Sequence, residues 1–100
     1  MQTGKAMHSL ATELFPLPRS ITGDGVRATL KRLRLHLPDL QINEMPNGTQ
    51  CFDWVVPREW NCRDAWIITP EGERIADFRV NTLHVLNYSV SVDMSVSLDL

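Results

Sequence analysis

Six prolines, at positions 16, 18, 38, 46, 57 and 70, divide this chain into short segments and set an upper limit on any helix or strand within it. Proline fixes its own φ, removes a backbone donor and disfavours helix in the residue before it. Only the stretches before Pro16 and between Pro18 and Pro38 are long enough for a helix of several turns. After Pro38 the spacing suits strands and turns. The expected architecture is therefore α+β, with two N-terminal helices followed by a small, mainly antiparallel β-sheet.

The first helix is expected over residues 6–15, where Met7, Leu10 and Leu14 fall on one face. The glycine-containing loop Arg19-Ser20-Ile21-Thr22-Gly23-Asp24-Gly25 then leads into a second helix, expected over 24–37. Thr22 and Asp24 are residue types suited to capping it. Val26, Leu30, Leu33 and Leu37 form its apolar stripe, while Arg27, Lys31, Arg32 and Arg34 lie on the other faces. Those basic residues read as a solvated helix face. The formal net charge of −2 gives no footprint for nucleic acid or an anionic membrane.

Beyond Pro38 the pattern changes. Leu40 to Met45 largely alternates and reads as a half-buried strand. Cys51 to Val56 and Asp64 to Thr69 are two further strand candidates. Pro70-Glu71-Gly72-Glu73 is a tight turn, returning as a partner strand over Arg74 to Phe78. Leu83 to Val92 is another strand candidate. Val90, Val92, Met94, Val96, Leu98 and Leu100 alternate strictly with polar residues, as in one long strand. The alternation stops with no turn or cap, as in a truncated chain or at a natural edge strand.

The hydrophobic fraction of 43% and charged fraction of 22% fit a folded globular chain. A chain of this size buries roughly 60–65% of its unfolded surface. No apolar run approaches the roughly 18 residues of a membrane span. The first eight residues carry one lysine and no apolar signal core, so the expected location is the cytoplasm. Cys51 and Cys62 are accordingly expected as free thiols, and the two glycosylation sequons at Asn47 and Asn87 as chance matches.

Metal and nucleophilic chemistry are not spelled here. His8, His36 and His84 lie far apart, without the short-spaced pairs of a zinc site. The two cysteines lack C-x-x-C spacing. Ser20 is not in a nucleophile elbow, and Gly23-Asp24-Gly25 falls short of the phosphate-loop fingerprints. The expectation is no catalytic residue, no metal ligand and no cofactor in this chain.

One stretch stands apart. Trp54, Trp60 and Trp66 lie within 13 residues, interleaved with Arg58 and Arg63. Tryptophan joins a large apolar body to one donor and suits sugar stacking or an interface. These five residues are the candidate ligand or partner surface. A plainer reading has tryptophan filling the core of a small β layer with charged residues pairing at its rim. The scarcity of other large residues in so small a domain favours it.

Two long motifs then carry a resemblance. One is Leu14-Phe15-Pro16-x-x-Arg19-Ser20-Ile21-Thr22-Gly23-Asp24-Gly25-Val26-Arg27. The other is Phe52-Asp53-Trp54-x-Val56-Pro57-x-Glu59-Trp60-Asn61-x-Arg63-Asp64-Ala65. A third, shorter match is Leu83-His84-Val85-x-Asn87-Tyr88-Ser89. From about Leu10 to Val92 the chain resembles a bacterial family of unknown function with an aminopeptidase-like domain, often found in polysaccharide or natural-product gene clusters. Pro18 departs from the family, which often has Cys there, and Ser91 stands where the family usually has Pro.

The resemblance implies a parent several times longer, similar to zinc-dependent exopeptidases, with a small domain inserted near its N-terminus and a winged-helix segment at its end. Zinc would belong only to that full-length parent, whose ligand motifs lie downstream of anything matched here. The implied division is residues 1–46 as helices and first strand of the peptidase-like domain, and 47–100 as the start of the inserted β-rich domain, truncated at the C-terminus. The family pattern also ends the last strand near Val92 and suggests a helix beginning at Ser95. The implied partner is the remainder of the peptidase-like chain, with a homo-oligomer as a further expectation and neither nucleic acid nor membrane. A stand-alone sugar- or peptide-binding module built on the tryptophans is the alternative function.

Overall fold

The structure, a computed structural model, describes residues 2–99. Two helices, α1 (Gln2–Leu14) and α2 (Asp24–His36), precede two separate antiparallel hairpins. The first pairs β1 (Gln50–Cys51) with β2 (Trp54–Val55), and the second pairs β3 (Ile67–Ile68) with β4 (Arg74–Ile75). A 3-10 turn follows at Thr82–His84. The α+β class and the order of helices before hairpins are as the proline spacing requires.

Helix α1 begins four residues earlier than its apolar face suggested and has no buried residue. Helix α2 ends one residue earlier than expected, at His36. Glu13 and Arg32 link the two helices at 2.6 Å. In the turn between them, Arg19 Nη1 donates to the Leu14 carbonyl at 2.8 Å and to Thr29 Oγ1 at 3.3 Å. The Thr29 hydroxyl donates to the Gly25 carbonyl inside the helix.

Several expected strands do not form. Leu40 to Met45 stays irregular. Its first carbonyl is taken by the Arg34 guanidinium at 3.0 and 3.2 Å, and Leu40 N–H donates back to the Leu37 carbonyl. The chain is thus wrapped onto the end of α2. Cys51 to Val56 is not one strand but a hairpin. Phe52 takes a positive φ of 52° and reverses the chain, pairing Cys51 with Trp54 and Gln50 with Val55. Backbone bonds from Gly48 to Val56 and from Val56 to Thr49 extend that ladder.

The second hairpin forms around Pro70–Gly72 as the turn signal required, with Gly72 at φ 84°. Its strands are shorter than expected because Ala76, at φ 49°, ends β4. One further bond, Phe78 N–H to the Ala65 carbonyl, persists at 2.8 Å. Leu83 to Val92 is not a strand either. The Asn81 side chain accepts from Leu83 N–H and starts the 3-10 turn, and Tyr88 adopts φ 67°. From Val90 to Asp99 there is neither strand nor helix, so neither expectation for the tail is realised over the described residues. Leu100, the last position of the alternation, lies outside them.

The core is small. Val56 and Phe78 are the buried apolar side chains among the described residues, with Thr29 beside them in burial class. The chain exposes 8953 Å², against about 5,800 Å² for a compact domain of this mass. Its radius of gyration is 17.7 Å, against about 13 Å for a compact chain of this length. The burial expected from chain length alone is therefore not reached. The largest exposed apolar residues gather in the hairpins and along Val80 to Leu98. No helix among the described residues is long and apolar enough to cross a membrane.

Candidate functional site

Long-range hydrogen bonds join segments about 30 or more residues apart around Trp60. The loop before α2 meets the segment Glu59–Asn61 through backbone and side chains together. Trp60 N–H donates to the Thr22 carbonyl at 3.2 Å. The Ser20 hydroxyl lies 2.6 Å from the Thr22 carbonyl and 3.1 Å from the Trp60 carbonyl, with one proton to share between them.

The cap of α2 comes from outside the helix. Gly23 is the N-cap residue and offers no side chain. Asn61 Oδ1 instead accepts from Asp24 N–H at 2.7 Å, satisfying one of the donors that a helix start leaves open. This corrects the expectation that Thr22 and Asp24 cap the helix: Thr22 Oγ1 is buried without a partner. Asp24 turns to Arg27 at 2.8 Å. Arg27 also binds Glu59, and that hydrogen bond, then the charge of Glu59, raises its guanidinium above the ordinary value.

The two glycines of the loop serve close approach. A Cβ on Gly25 would sit 1.9 Å from the Pro18 carbonyl oxygen. A Cβ on Gly23, at φ 151°, would sit 2.6 Å from the Trp60 carbonyl oxygen and 2.9 Å from Asn61 Oδ1. Neither position admits a side chain without moving backbone.

The third segment completes the junction. The Trp60 indole donates to the Ser89 carbonyl at 2.9 Å, and its ring lies 6.0 Å from that of Tyr88. Asn87 Nδ2 donates to the Arg19 carbonyl at 2.9 Å. Two adjoining hollows open beside these contacts, of about 220 and 280 Å³. Both are lined by Phe15, Phe78 and Thr82, and the smaller also by Arg19, Trp60 and Asn87.

The residues singled out from sequence are distributed rather than gathered. Trp60 is turned into the junction. Trp54 lies on β2 opposite Cys51 and is 47% exposed. Trp66, 44% exposed, is stacked by the Arg74 guanidinium at 4.3 Å. Each tryptophan thus takes a different partner. Arg58 and Arg63 are exposed. The carboxylates nearby pair elsewhere, Asp64 with Arg79 at 2.9 Å and Asp77 with Arg74 at 3.5 Å. Sequence reasoning missed Asn61 as a cap, and Phe15 and Phe78 as a shared lining. Asn61 lies inside the second motif, so the signal was present without its geometry.

Among the described residues, no group of three or more His, Cys, Asp or Glu side chains could hold a metal ion. Cys51 and Cys62 are free thiols. Partial burial pushes the Cys62 thiol up, and its contact with the Asp64 carbonyl at 3.7 Å opposes that.

A family model described as "Domain of unknown function (DUF4910)" matches residues 8–95. A protein of Clostridium acetobutylicum, described as a "putative polysaccharide biosynthesis protein with aminopeptidase-like domain", is 49% identical over 98 residues. The match covers 98% of this chain and 22% of that protein. A crystal structure of a "putative peptidase" from the same organism superposes with a TM-score of 0.90 at 49% identity, covering 98% of this chain and 23% of that one. The chain thus spans about a fifth of the length of the curated relative it matches.

Proposed function

This chain belongs to the family described as Domain of unknown function (DUF4910), and from that premise we propose that it is the N-terminal part of a zinc-dependent aminopeptidase-like protein and is not catalytic by itself. The observation that carries this reading is the extent of the likeness. Nearly all of the chain matches about a fifth of a protein whose description includes an aminopeptidase-like domain, at 49% identity. The hydrolytic centre and its zinc belong to the remaining sequence. The donors present here do not fit the metal: the three histidines are exposed, and among the described residues no group of three or more donors could hold a metal ion.

In this reading residues 1–46 belong to the peptidase-like domain and 47–100 open the inserted β-rich domain. The change from helices to hairpins after Pro46 supports that division. The β-rich part shapes the substrate cleft or an oligomer contact, and a role of the parent in polysaccharide biosynthesis is supported by the relative's description alone. The test compares the 100-residue chain with the longer polypeptide. After dialysis, the short chain is expected to retain no stoichiometric zinc and to leave an aminoacyl reporter uncleaved. Zinc retention with hydrolysis by the short chain would overturn the proposal.

A second reading, a sugar- or peptide-binding module, is favoured by the exposed faces of Trp54 and Trp66. Trp60, held by Ser89, takes no part in it. Added oligosaccharide or peptide would then quench or shift the indole emission. An unchanged spectrum at millimolar ligand removes this reading.

A further inference from the structure

Phe52 combines two costs that its own fold does not offset. It occupies the first position of the two-residue loop between β1 and β2, with φ 52°. A positive φ there favours glycine, and a bulky side chain in that region stores backbone strain. Its ring gains nothing from burial, since the residue is 99% exposed. The conformation is nevertheless held: the Gln50 side chain donates to the Phe52 carbonyl at 2.9 Å, and backbone bonds flank the turn at Thr49 and Val56. An aromatic ring presented fully to solvent on a held, strained backbone has the form of an anchor whose backbone is pre-organised.

We infer that Phe52 is the anchor of a docking knob at the tip of the first hairpin, and that it seats in an apolar pocket on the remainder of the longer peptidase-like polypeptide. The inference rests on the parentage proposed above. The exposed area favours this occupant over a second copy. The chain exposes roughly 3,000 Å² more than a compact domain of its size, whereas a standard protein–protein interface covers about 800 Å² on each partner. A surplus that large is the face of a larger core within one polypeptide. The matched relative has most of its length outside the matched part, enough to supply the covering surface. Trp54 and Val55, both about half exposed beside the tip, would form the rim of the same contact.

The test places this chain in the Clostridium acetobutylicum relative in exchange for its matched 98 residues, with Phe52 native or replaced. Phe52→Gly relaxes the backbone and deletes the ring, so the two possibilities give opposite signs. For a seated ring, Phe52→Gly lowers the thermal midpoint by about 5 °C or more, and Phe52→Leu lowers it less. Amides 50–55 then exchange at least about tenfold more slowly in the exchanged protein than in the 100-residue chain. A midpoint that stays or rises, with amides 50–55 exchanging at equal rates, overturns the knob while leaving the parentage standing. A halved scattering mass for Phe52→Gly at an unchanged midpoint assigns the contact to a second copy and overturns the stated occupant. Failure of the exchanged protein to fold with Phe52 intact overturns the parentage and this inference with it.

Discussion

The loop from Arg19 to Gly23 and the tail from Val90 to Asp99 both lack regular secondary structure, and they are organised in opposite ways. The loop is fixed by directional polar bonds from two distant segments: the Trp60 N–H and carbonyl, the Asn61 amide at the start of α2 and the Asn87 amide. The tail holds five large apolar side chains, Val90, Val92, Met94, Val96 and Leu98, each more than 70% exposed. Polar groups in the loop, the Thr22 hydroxyl excepted, find partners within the chain. Apolar side chains in the tail need a surface to cover them, and among the described residues they find little such cover. The difference separates a junction that this chain completes from a face that it presents.

The largest effect should follow from closing the space at the junction. Gly25→Ala places a methyl group where the Pro18 carbonyl stands and is expected to cost about 3 kcal/mol or more. It should be read as loss of helical circular dichroism and faster exchange along α2. A fully native signal would show that the close approach of the 18–25 loop is not required.

Next is the borrowed cap. Asn61→Ala removes the acceptor for Asp24 N–H and is expected to cost about 1 kcal/mol. Amide exchange should rise in the first turn of α2, and Asn61→Asp should retain most of the protection. If alanine and aspartate behave alike, the cap is not what joins the two motifs.

A smaller, salt-sensitive change is expected at Arg27. The side chain is exposed and reaches both Asp24 and Glu59. Arg27→Met should therefore weaken the junction less than Asn61→Ala, and the difference from native should shrink as salt is raised. Cys62 provides a pH probe of the same neighbourhood. Its raised thiol value means the unfolded chain ionises first, so stability is whole below the ordinary thiol value and falls as pH rises toward the raised one. Cys62→Ser should abolish that slope.

The smallest effect belongs to the tail. Val92→Ser should change the stability of the 100-residue chain by less than about 0.5 kcal/mol. A larger loss would mean that the tail already packs on this chain, and the contrast between the two regions would fail.

Much of the fold was legible because proline and glycine act locally. Pro16, Pro18 and Pro38 bounded the helices, and Pro70–Gly72 fixed the second hairpin. The strands expected over 40–45, from alternation, and over 83–92, from β-branched residues, do not form because both signals report only a tendency. Arg34 at the Leu40 carbonyl and Asn81 at Leu83 N–H removed backbone groups that a ladder would have used. In the candidate site, the motif residues were visible as residues, but not as partners.

By itself, the sequence determined the α+β order, the turn at Pro70, the two glycines of the 23–25 loop and the lack of short-spaced metal ligands. These depend on residues near one another in the chain. Only the tertiary structure decided that Asn61 caps α2, that Trp60 faces inward while Trp54 and Trp66 stay outside, and that Phe52 stands at a strained tip. Each of these depends on which distant backbone group comes within hydrogen-bond reach, or fails to. That is settled by the path of the whole chain, not by the spacing along it.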